Sequence, residues 1–170
     1  VKILDVGCGA AKKEGATGID MSSYPCVDIV HDLNKYPWPI PDNSFDIALC
    51  KDVVEHLDNV IGMMEELHRV LKADGKIIIY TPHFSNPNSF RDPTHKHHFS
   101  YGTFDYFTGD ISYPIYSKKK FKMLKKEFIF IKPYALGKWL AKLSTVRYEK
   151  YYCHRSPPHG LYFEIEVIKC

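Results

Sequence analysis

Short apolar runs closed by polar turns dominate the first eighty residues. VKILDV (1–6) stops at Gly7-Cys8-Gly9, residues 16–19 stop at Asp20, and two further runs occupy 27–30 and 44–50, the last entered through Pro41-Asp42-Asn43-Ser44. Runs of this length bounded by turn residues predict buried strands. The period then changes. Val60, Met63, Met64, Leu67, Val70 and Leu71 recur at helical spacing, with Asp58 as N-cap and Asp74-Gly75 as stop, so an amphipathic helix is predicted. KIIIY (76–80) predicts a fifth strand.

The second half is less regular. Residues 82–117 form a long insertion rich in Pro, Asn, His and aromatics; a basic helix is predicted around 116–126, a strand at 128–131, a helix over 135–152, a turn at 156–160 and a last strand at 161–168. Strands as continuously apolar as 1–6 and 77–79 predict a parallel sheet covered on both faces. Gly9 and Asp20 are too close for the usual helix between the first two strands, and 21–28 is too short for the next. Something else must then cover one face. The candidates are the aromatic-rich insertion and the 135–152 helix, through Leu136, Trp139, Leu140 and Leu143, with a homodimer as the other route.

Composition narrows the class. The chain has 170 residues, 45% hydrophobic and 25% charged, which suits one globular domain over 1–170 and excludes a disordered class. No apolar run approaches the roughly 18 residues that suggest a membrane span, and the first residues lack a signal-peptide h-region. A cytoplasmic location is the expectation. Cys8, Cys26, Cys50, Cys153 and Cys170 are odd in number and scattered, which argues for reduced thiols over a disulfide framework or zinc ribbon. Residues 118–155 carry twelve Lys and Arg against Glu127 and Glu149, a local +10 inside a total of +3. With Trp139, Tyr148, Tyr151 and Tyr152 interleaved, the stretch is compatible with nucleic acid, but a solvated amphipathic face is preferred.

The most specific chemistry lies in ILDVGCGAAKKEGATGID (3–20). Gly7 and Gly9 let backbone approach a ligand closely, and Asp20, ending the second strand, offers two carboxylate oxygens to a pair of ribose hydroxyls. Lys12 stands where a dinucleotide fingerprint would have its third glycine. Asp5 is read as a cap on loop amides or as a partner for a cationic cofactor.

These residues resemble the class I S-adenosylmethionine-dependent methyltransferases of the type 11 group. The resemblance rests on LDVGCG (4–9), GID (18–20), HDLNKYPWPIPDNSFDIALC (31–50) and VVEHL with EELHRVLKADGKIII, and covers about half the chain. It implies a Rossmann-like α/β fold with a mostly parallel sheet of about seven strands, the last antiparallel, shortened N-terminal helices and insertions at 82–117 and 133–160. It also implies S-adenosyl-L-methionine as cofactor and S-adenosyl-L-homocysteine as product, held by Asp5, Gly7, Cys8, Gly9, Asp20 and Met21. By the same resemblance Asp32 and Leu33 face the adenine, and Lys51 borders the methyl donor. Without it, Asp32 is an ordinary turn residue before Asn34.

For catalysis the candidates are His83, His95, His97 and His98 in the insertion, read as a substrate lid, together with His56. A histidine there suits proton acceptance from the methyl acceptor. The histidines have ligand types but no regular metal-ligand spacing, so no metal is expected. A small-molecule acceptor is favoured. The alternatives are RNA, approached through 118–155, or a non-catalytic nucleoside-binding sensor or partner subunit. The oligomeric expectation is a monomer or homodimer.

Overall fold

The structure, a computed structural model, describes residues 1–109, 116–132 and 135–169; stretches 110–115 and 133–134 of the two expected insertions, and Cys170, lie outside them. One seven-stranded sheet has the order β3-β2-β1-β4-β5-β7-β6, made of β1 (Ile3–Val6), β2 (Thr17–Asp20), β3 (Ile29–Val30), β4 (Phe45–Lys51), β5 (Leu71–Pro82), β6 (Lys120–Ile129) and β7 (Gly160–Ile168). The pairs among β1 to β5 are parallel, while β7 is antiparallel to both β5 and β6. This is the expected Rossmann-like α/β sheet. Strand order reverses beside β1, between β2 and β4, and in such sheets the crevice outside the carboxyl ends at the reversal is where ligands bind.

The helix between β4 and β5, α1 (Val60–Val70), buries Met63, Met64, Leu67 and Val70 as its spacing requires. Its N-cap is Asn59, whose side chain accepts from the Gly62 amide, and not the Asp58 expected from sequence. The predicted stop also shifts: Leu71 already pairs with Phe45, and Asp74-Gly75 falls in the irregularity before pairing resumes at Lys76.

Two further expectations are corrected in the second half. The basic stretch read as a helix around 116–126 is largely edge strand β6. Phe121 points into the core while Lys120 and Lys122 stay in solvent, the alternation of a strand whose lysines guard an open edge; the separate strand expected at 128–131 is its end. The predicted 135–152 helix is two, α4 (Ala135–Leu143) and α5 (Thr145–Tyr151), broken at Ser144, whose hydroxyl caps α5 through the Arg147 amide.

Burial alternates along most of β5 and β7. Ala48, Cys50, Ile77, Ile79, Phe163 and Ile165 are buried on one face, under α1 and the insertion aromatics Phe99, Phe104 and Phe107. Within the 82–117 insertion lie two single-turn helices, α2 (Asn88–Arg91) and α3 (Asp105–Thr108). The other face is only half-covered: Ile3, Ile47, Leu49, Ile78 and Tyr80 are partly exposed and line a shallow cavity. The expectation that the 135–152 segment covers this face through Leu136 and Trp139 is therefore not met. Both are exposed, at 63% and 58%, and the α4–α5 pair instead packs Ala141, Tyr148 and Cys153 against Phe84, Phe128 and Phe130. Trp139→Ala should change the unfolding free energy by less than about 0.5 kcal/mol; a denaturant melt showing a loss of several kcal/mol would place the indole in a core.

Candidate functional site

At the end of β1 the chain turns through Gly7 and Gly9, both with positive φ (66° and 52°). A Cβ on Gly7 would lie 2.3 Å from Cγ2 of Val53, whereas one on Gly9 would meet nothing within 4 Å. Gly7 thus serves packing as well as the turn, and Gly9 opens onto free space. The Gly9 amide donates to Oδ2 of Asp20 at 2.9 Å and the Ser22 amide to Oδ1 at 2.8 Å. The carboxylate is held square to the turn, and each oxygen retains a lone pair for a ligand hydroxyl. Asp5 is buried and accepts the Lys13 amide at 2.7 Å, so it caps the loop. Burial, with Asp5 and Asp20 nearby, pushes the Cys8 thiol up to about 11, leaving it protonated near neutral pH.

In front of this turn lies a cavity of about 620 Å³. Gly7, Asp20, Met21, Asp32 and Leu33 line it; Asp5, Cys8 and Gly9 build the turn without lining it. Asp32 Oδ1 accepts the Asn34 amide at 3.1 Å, an Asx turn that leaves Oδ2 beside Lys35 at 3.8 Å. Leu33 is fixed from behind, because the buried Trp38 indole donates to its carbonyl at 3.2 Å. The Trp38 amide donates to Glu66 of α1, and Arg69 binds that carboxylate, Asp42 and the carbonyls of Trp38 and Ile40. The sequence reading missed this clamp. Its signals were far apart in the chain: a Trp between two prolines at 37–39 and, 28 residues after that Trp, a Glu-Arg pair at i, i+3.

A second cavity of about 630 Å³ adjoins the first, sharing Asp52, His56 and Pro93 with it. Lys51, Tyr80, Arg91 and His95 line this second one. Of the histidines singled out in the sequence, His56 and His95 come together here, their rings edge to face at 4.6 Å. Burial and the neighbouring His95 lower the pKa of His56, favouring the neutral ring. The amides of Lys96 and His97 donate to the Glu55 carbonyl, which docks this part of the 82–117 insertion onto the 3-10 turn Val54–His56. His83 lies elsewhere: fully buried, it meets Ser85 Oγ at 2.8 Å and Glu149 Oε1 at 3.0 Å, tying the 82–117 insertion to α5. His98 stacks on Phe90 and lines a separate cavity with His97.

Residues 4–79, a little under half of the chain, match the family described as Methyltransferase domain. That stretch is similar to the type 11 methyltransferases. A stretch of 67 residues is 36% identical to the uncharacterized methyltransferase YcgJ of Bacillus subtilis, spanning 34% of this chain and 26% of that protein. The match is thus to about a quarter of the relative's length. Among solved structures, a SAM-dependent methyltransferase from Archaeoglobus fulgidus superposes with a TM-score of 0.63 at 19% identity, covering 97% of this chain and 85% of that one. The cyclase SpnF superposes with a TM-score of 0.66 at 18% identity, covering 100% and 75%. Such likeness establishes the methyltransferase fold, and SpnF's name shows that the fold alone does not name the reaction.

Proposed function

We propose that this methyltransferase domain transfers a methyl group from S-adenosyl-L-methionine to a small-molecule acceptor, leaving S-adenosyl-L-homocysteine. The observation that carries the reading is the pair of adjoining cavities at the carboxyl ends of β1 and β4, one lined by nucleoside-matching acceptors and the other by titratable groups. Asp20 suits the two ribose hydroxyls, Asp32 and Leu33 the adenine, and Gly7 and Met21 the intervening wall. Asp5, Cys8 and Gly9 support the fit by shaping the turn.

The cofactor supplies, when bound, a methyl group on a positively charged sulfur. The chain must then hold an acceptor atom in line with that methyl, and orientation of this kind is worth roughly 7 to 11 kcal/mol of barrier. Lys51, at the end of β4, and the walls of the second cavity are assigned to the acceptor, with residues 82–117 as its lid. His56 and His95 are the groups in place to accept a proton from a hydroxyl or amine; His83 and His98 are assigned to holding the lid. The cavity's size supports a small acceptor over RNA. Among the described residues no helix is long and apolar enough to cross a membrane.

Asp20→Ala should weaken S-adenosylhomocysteine binding by at least about 1.5 kcal/mol, through loss of charge-assisted hydrogen bonds. Calorimetry showing unchanged affinity in a folded variant would remove the ribose assignment. Binding by the parent protein without methyl release to any of a metabolite panel would favour the non-catalytic sensor.

A further inference from the structure

Beside the nucleoside cavity, three side chains from two separate segments converge. Glu55 is only 1% exposed, yet of its two carboxylate oxygens Oε2 accepts from Thr81 at 3.0 Å while Oε1 is buried with no hydrogen-bond partner. His95, brought over it by the docked lid, places Nε2 4.0 Å from that oxygen, too far for a hydrogen bond. One ligand atom each from Glu55, His56 and His95 lies within 4.8 Å of the others.

The tautomers of both imidazoles are set by their outer partners. His95 Nδ1 meets the Ser89 carbonyl at 3.0 Å, an acceptor only, so Nδ1 carries the proton and Nε2 presents a lone pair. The Thr94 hydroxyl donates to Asp92 Oδ1 at 2.7 Å, so its oxygen accepts from His56 Nδ1 at 2.9 Å. His56 Nε2 is therefore also a free lone pair. Outer-shell hydrogen bonds from Nδ1 to a carbonyl or hydroxyl are how metal-binding histidines are oriented. An unpaired buried carboxylate oxygen facing two imidazole lone pairs is costly unless a proton or a cation completes it, and two imidazoles with a carboxylate are a transition-metal ligand set.

We propose that Glu55, His56 and His95 bind a divalent transition-metal cation. Two imidazoles and one carboxylate match zinc, manganese, iron or cobalt better than magnesium or calcium, which prefer oxygen. Ligand atoms about 2.1 Å from an ion stand closer than those seen here, so binding draws the three inward by about an ångström, within reach of side-chain adjustment. The remaining positions face the cavity that Lys51 and Arg91 also line, which suits an anionic oxygen ligand. The proposal concerns binding and stands whether or not the domain transfers methyl groups. A cation on both Nε2 atoms takes the lone pairs that would otherwise accept a proton, so the two roles alternate at this site.

The test is titration of chelator-stripped protein with zinc and manganese alone, by calorimetry and, with cobalt, by visible absorption. One cation per chain is expected, with cobalt bands of mixed nitrogen and oxygen ligation and weaker magnesium binding. Glu55→Gln and His95→Ala should each weaken it at least about 10-fold, with circular dichroism confirming folding, while His154→Ala, exposed and outside both cavities, leaves it unchanged. If Glu55→Gln fails to fold, His95→Ala decides. Absence of binding in the parent protein, or equal affinity in the folded variants, overturns the proposal.

Discussion

Arg69→Ala is expected to destabilise the protein by about 3–5 kcal/mol, because it leaves the nearly buried Glu66 carboxylate without its cation. Arg69 donates to Glu66 through both Nε and Nη2, to Asp42, and to the carbonyls of Ile40 and Trp38. One guanidinium thus ties α1 to the segment before β4, and that segment carries Leu33 through the Trp38 indole. The same variant should therefore bind S-adenosylhomocysteine more weakly even where it remains folded. Denaturant melts and calorimetry measure the two effects. A stability loss under about 1 kcal/mol would mean that the cluster behaves as an ordinary surface ion pair.

Gly7→Ala should cost about 2–5 kcal/mol, from the positive φ of 66° and from the clash of the new Cβ with Val53. The two causes are separable. Adding Val53→Ala removes the Cγ2 clash but leaves Cβ of residue 53 at 2.8 Å and the backbone strain in place, so the double variant should recover part of the loss relative to Val53→Ala alone. Additive losses in a double-mutant cycle would show that the Val53 contact has no part in the requirement for glycine. Gly9→Ala, with a positive φ but open space around it, should cost only the backbone portion, roughly 1–2 kcal/mol.

Most strands were legible because each apolar run is bounded by residues with turn chemistry. The runs at 1–6, 44–50 and 161–168 correspond to β1, β4 and β7 with shifts of a residue or two at their ends. The nucleoside corner was legible for a related reason: a strand, a glycine turn and an acid ending the next strand are local, and parallel pairing of neighbours brings them together. Gly7 and Asp20 are linked through such a pairing, with the Gly7 amide on the Ile19 carbonyl at 2.8 Å. The misreadings fell where a segment supports two periods. Residues 120–129 hold enough lysines at mixed spacing to imitate a basic helix, and only pairing with β7 selects the strand. Likewise Leu136, Trp139, Leu140 and Leu143 recur as a buried helix face would, yet Leu136, Trp139 and Leu143 are exposed, because a periodic stripe does not say what it faces.

By itself, then, the sequence determined the α/β class, the positions of most strands and the chemistry of the glycine turn, since propensity and short-range pattern act within a few residues of chain. Tertiary structure alone decided which histidines meet, which sheet face is covered and how the adenine-side segment is clamped. Those outcomes depend on contacts between distant residues: Glu55 with His95, Trp38 with Glu66, His83 with Glu149. Such contacts form only after the sheet has brought the segments together, and no local pattern encodes the direction from which a partner arrives.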